Sequence, residues 1–139
     1  MTRRIAYYEL FGVDRACDTM QPEAIPAGAL THINLAFINF DENYELVDTG
    51  GDIVARVSKL KLTYPGLRVM VAVGGWEFND PPTQTYFSDM ASSYDNRQTF
   101  ISSVMKYLTK YGLDGIDIGE FFMSHSDDLS GAVQEADNI

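Results

Sequence analysis

The stretch YGLDGIDIGEFF, residues 111–122, gathers three carboxylates within seven positions: Asp114, Asp117 and Glu120. Carboxylates at the end of a strand can pass a proton to a leaving oxygen or stabilise a developing positive charge. What each can do depends on where it points. Residues 115–118, GIDI, read as a strand, and alternate side chains of a strand share a face. Asp117 therefore faces one way, and Ile116 and Ile118 the other. Glu120 has the parity of the isoleucines, so it turns away from Asp117 unless a bulge at Gly119 re-aims it. Asp114 precedes the strand and reads as a cap or turn partner.

Other elements must hold Asp117 in place. RIAYYEL (4–10) is a short β-rich run. LTHINLAFINF (30–40) is nearly continuously apolar, as expected for a strand covered on both faces. LRVMVAVGGW (67–76) is a third such strand, closed by Gly74 and Gly75, which permit a tight turn and keep the adjoining surface open. DIVARVSKLKLTYPG (52–66) has a roughly helical apolar pattern and stops at Pro65-Gly66, and YFSDMASS (86–93) fits a short helix. The strongest helix is DNRQTFISSVMKYLTKYG (95–112). Phe100, Ile101, Val104, Met105, Leu108 and Tyr111 form its stripe, with Asp95 as cap and Gly112 as stop.

Alternating strands and helices define an α/β chain of right-handed βαβ units with a parallel sheet. Two architectures satisfy that pattern: an open doubly wound sheet, or the first half of a TIM (β/α)8 barrel. No Gly-x-Gly-x-x-Gly follows the first strand and no Gly-Lys-Ser/Thr loop occurs, so a nucleotide site has nothing to rest on. The 139 residues make one domain and fit about half a barrel, since a full one needs roughly 250 residues.

The net charge of −10 opposes nucleic acid and anionic membrane surfaces as partners and suits a neutral ligand such as a sugar. The sequence has no apolar run long enough to span a bilayer and no secretory leader, so localisation stays open. Cys17 stands alone and forms no internal disulfide. His32 reads as a core histidine within an apolar strand. His125 has no partners at ligand spacing, so neither a metal nor a cofactor is expected.

Four motifs taken together resemble glycoside hydrolase family 18, the chitinases, in its fungal form: YY on the first strand, THINLAF on the second, VAVGGW closing the third and GLDGIDI on the fourth. The resemblance covers residues 4–118. It implies a (β/α)8 barrel that cleaves β-1,4 bonds between N-acetylglucosamine units, with chitin or a chitooligosaccharide as partner. The family's fourth strand carries D-x-x-D-x-D-x-E. Its Glu protonates the leaving oxygen, and the Asp two residues earlier orients the substrate's acetamide, which is the nucleophile. On that pattern Asp114 matches the first Asp and Asp117 the second. Gly119 stands in place of the third Asp, Glu120 in place of the usual Trp, and Phe121 in place of the acid. Glu120 is the one remaining candidate for the acid, and its parity opposes that role. Ala72 stands where the family usually has Ser, removing a hydroxyl partner of Asp117.

The resemblance also implies that Trp76 stacks a sugar ring at the barrel mouth and that Tyr7 points inward beneath Asp117. Phe37, Gly74 and Gly75 complete the expected binding surface, with Phe37 weighed between core and cleft. The expectation is a chitinase-like chain, residues 1–118, that is inactive alone, with an acidic tail of its own at residues 119–139. The family is usually secreted. Alternatives are a chitinase-like lectin that binds chitooligosaccharides without cleaving them, and a half-barrel interaction module that self-associates through its exposed edges. Gly-Glu-Phe can be encoded GGT-GAG-TTY, which contains an intron donor consensus. The tail therefore reads as translated intron, with Asp-Trp-Glu restored by splicing after Ile118.

Overall fold

Four β-rich runs become strands because their apolar side chains at alternate positions find a helical layer to cover them. In this computed structural model, which describes residues 2–119, the strands are β1 (Ile5–Glu9), β2 (His32–Ile38), β3 (Arg68–Gly74) and β4 (Gly115–Gly119). The helices are α1 (Gly51–Thr63), α2 (Tyr86–Ser92) and α3 (Tyr94–Tyr111). All strand pairs are parallel and the sheet order is β1-β2-β3-β4. Each strand thus lies beside its predecessor. A doubly wound sheet would reverse direction at a switch point, and this one does not within its four strands.

One face of the sheet is covered. Tyr8, Ile33, Leu35, Val69 and Val71 project from the strands onto Val54 and Val57 of α1 and Tyr107 of α3. A second cluster closes the carboxyl ends of the strands, where Val73, Phe78, Phe87, Phe100 and Val104 surround Phe40. The Phe40 ring meets Phe78, Phe87 and Phe100 edge-on, at centroid distances of 4.9, 5.1 and 5.2 Å. The other, concave face is open at β1, where Ile5, Tyr7 and Glu9 are exposed. Among the described residues β1 and β4 each pair with a single neighbour.

Several local expectations change. Ser93, not Asp95, caps α3: its Oγ accepts from the Asn96 backbone N–H at 3.1 Å, and Asp95 falls in the first turn. Gly112 ends that helix at φ +63°, as its position predicts. The buried stripe runs through Phe100, Val104 and Tyr107, whereas Ile101 and Met105 are 49% and 57% exposed. Each of these two lies one residue, or about 100°, round the helix from the stripe. The first crossover holds no α-helix, only 3-10 turns at Gly12–Asp14, Pro22–Ala24 and Ala27–Ala29. Pro22 and Pro26 break any longer run there. Ile116 packs against both clusters, but Ile118, near the end of an edge strand, stays exposed.

Candidate functional site

The parity of β4 turns Asp117 to the concave face, and the parallel register brings two side chains to it. Tyr7 of β1 pairs with Asn34 of β2, while Asp117 lies opposite Ala72 of β3. The Tyr7 hydroxyl donates to Asp117 Oδ2 at 2.6 Å, and Asn34 Nδ2 donates to the same oxygen at 3.0 Å. The hydrogen bond given to Asp117, and after it burial, raises the Tyr7 phenol above its ordinary range. The Asn34 amide acts in the opposite sense. Asp117 joins no ion pair among the described residues, so its partners there are neutral donors.

The end of β3 sets the rim. Gly74 and Gly75 adopt φ +100° and +93°. A Cβ on Gly75 would come within 2.9 Å of the Phe37 ring, and one on Gly74 would meet Gly119 O at the same distance. The glycine pair therefore lets the chain pass under Phe37 and lets Gly75 N–H donate to Gly119 O at 3.0 Å. Asn79 Nδ2 then holds Gly75 O at 2.7 Å. Phe37 lies at the register irregularity of β2, against this turn and 41% exposed, which resolves it as rim rather than core. Trp76 follows directly and is 57% exposed.

Asp114 does not join this group. It sits at the amino end of β4, where its carboxylate accepts from Lys61 Nζ and the Val69 N–H, each at 2.8 Å, and from Arg68 at 3.3 Å. Burial works to raise its pKa, but the Lys61 and Val69 hydrogen bonds with the nearby cations outweigh it, and the net shift is downward. A depressed carboxylate contributes stability that is present above its unfolded pKa and is lost as pH falls through the folded value. Asp114→Asn is therefore expected to lower stability near neutral pH by about 1–3 kcal/mol. The gap to the parent should close in acid, which thermal melts from pH 7 to pH 3 will measure. A gap independent of pH would contradict this.

Glu120 lies outside the described residues. Asn34 was the site residue that its sequence context hid: a polar residue at concave parity within an apolar strand was the available signal. Among the described residues no cluster of three or more His, Cys, Asp or Glu could hold a metal ion, and no helix is long and apolar enough to cross a membrane. A hollow of about 650 Å³ beside Arg4, Thr31 and Tyr64 opens at the amino ends of the strands, at the opposite end from the site. Another of about 580 Å³, edged by Asp41, Glu42, Glu77 and Tyr86, borders the turn after Trp76.

Sequential parallel strands joined by crossovers, with a carboxylate and aromatic side chains toward their carboxyl ends, fit part of a (β/α)8 barrel. The sequence model for glycosyl hydrolases family 18 matches residues 3–132. The chain belongs to that family. It is 35% identical over 100 residues to chitotriosidase-1 of Mus musculus, covering 70% of this chain and 20% of that protein. It is 33% identical over 122 residues to a probable endochitinase of Caenorhabditis elegans, covering 81% and 19%. The solved Group IV chitinase of Ostrinia furnacalis superposes with a TM-score of 0.77 at 25% identity, covering 88% of this chain and 34% of that one. The four strands are accordingly the first half of a TIM barrel, and the chain spans about a fifth of the curated relatives and a third of the solved structure.

Proposed function

We propose that this chain forms the amino-terminal half of the sugar cleft of a family-18 chitinase and does not hydrolyse chitin by itself. The observation that carries the reading is the Tyr7–Asp117 hydrogen bond on the concave face, two residues before the point where β4 pairs with Gly74. In this role Asp117, at the second Asp of the family pattern, supplies a carboxylate to the cleft floor, the acetamide-orienting position is Gly119 and carries none, and the exposed Trp76 ring stacks on a sugar. Residues from later strands complete the pocket, and no acid stands in register after Asp117. The names of the relatives, a chitotriosidase and a probable endochitinase, support the substrate class.

The purified chain is expected to show no turnover of chitooligosaccharides, measured by product release over days. Turnover abolished by Glu120→Gln would instead make Glu120 the acid and sink the reading. Exposure of both Tyr7 and Trp76 favours a second reading, sugar binding without cleavage. Retention on chitin beads that is lost with Trp76→Ala separates it from the first. Self-association through the open edges of β1 and β4 belongs to the same proposal, and size-exclusion chromatography reads it.

A further inference from the structure

Asn34 is 5% exposed, and its two amide ends have different fates. Nδ2 donates to Asp117 Oδ2, whereas Oδ1 is buried with no hydrogen-bond partner. Its neighbours Ile33 and Leu35 are fully buried apolar residues. Leaving a buried acceptor unpaired costs stability that leucine at the same position would not. The amide therefore has a use other than holding the sheet together. Ala72, in register with Asp117 and fully buried, offers that carboxylate no donor. The hydrogen bonds Asp117 makes among the described residues all engage Oδ2, one from each of two other strands.

We propose that Asn34 is a positioning residue for Asp117. With Tyr7 it saturates Oδ2 and fixes the carboxylate rotation, so that Oδ1 alone is presented to whatever occupies the concave face. Tyr7 by itself leaves the carboxylate free to rotate about its own bond, because one donor defines a distance and two from different strands define an orientation. This rests on the sugar-cleft reading for the identity of the occupant, but the geometry of the Asn34–Asp117–Tyr7 group can be tested without sugar.

The test is Asn34→Leu in the full chain, with the Tyr7 phenol followed by NMR of ring-labelled tyrosine and assigned through Tyr7→Phe. The expected result is a melting temperature at or above the parent's together with an upward move of the Tyr7 titration. Losing the amide removes a group that lowers the phenol and leaves Asp117 more dependent on it. Chitooligosaccharide affinity should fall about tenfold, as for one lost hydrogen bond to a charged group. Adding Ala72→Ser returns a hydroxyl to the strand beside Asp117 and should bring the Tyr7 titration back toward the parent's. A lowered melting temperature with an unmoved Tyr7 titration would make Asn34 merely structural and overturn the proposal. Should the leucine variant not fold, Asn34→Ser is titrated in its place with the same two readings. If the parent binds no sugar, the cleft reading fails, yet the Tyr7 titration still decides the role of Asn34.

Discussion

Gly74→Ala is expected to cost about 2–6 kcal/mol, combining a backbone penalty with an overpacking penalty. Gly74 sits at φ +100°, a region L side chains rarely adopt. Its added Cβ would lie 2.9 Å from both Gly119 O and Phe87 Cε2. Neither neighbour retreats easily: one is backbone, and the other ring is 6% exposed within an aromatic cluster. The displacement would fall where Gly75 N–H meets Gly119 O, so the spacing between the Trp76 turn and the end of β4 changes with it. Urea unfolding reads the loss. Gly66→Ala is the control, since nothing lies within 4 Å of that position, and it should stay within about 0.5 kcal/mol of the parent. A Gly74→Ala loss no larger than the control's would show that the turn yields at no cost.

Phe40→Ala should cost about 3–5 kcal/mol, the range for truncating a fully buried aromatic. Phe40 is 2% exposed and meets three phenylalanine rings edge-on, from the turn after Trp76, from α2 and from α3. Its removal therefore loosens the loop that presents Trp76 as well as the fold. Phe37→Ala makes the comparison, because that ring is 41% exposed at the rim; its cost should be near about 1 kcal/mol. Equal losses at the two positions would mean that Phe40 is not the keystone of the aromatic cluster.

The facing of Asp117 was legible because period-two alternation fixes which way each strand side chain points, whereas the strand order and the Tyr7 contact were legible only through the family resemblance. Asn34 was not legible. Parity puts it on the concave face of β2, but the sequence says nothing of its partner 83 positions away. The cap of α3 was misread by two residues for a related reason. Ser93 and Asp95 are both good caps, and only the extended backbone of Ser93 decides between them. The stripe was drawn too wide: Ile101 and Met105 are apolar enough to join it, but they lie about 100° round the helix from the buried Phe100, Val104 and Tyr107 and stay exposed. Asp114 illustrates a different limit. Its match to a motif position was visible, whereas the Lys61 and Val69 contacts that occupy it come from residues 53 and 45 positions away.

The sheet order that repeats the chain order has a kinetic consequence. Each strand pairs with the one made just before it, and the two clusters on the covered face close using residues up to Ile116. No inner pairing waits for a strand that has yet to leave the ribosome. Such a unit can accrete one βα step at a time during synthesis, each pairing closing a loop of 27 to 45 residues between consecutive strands.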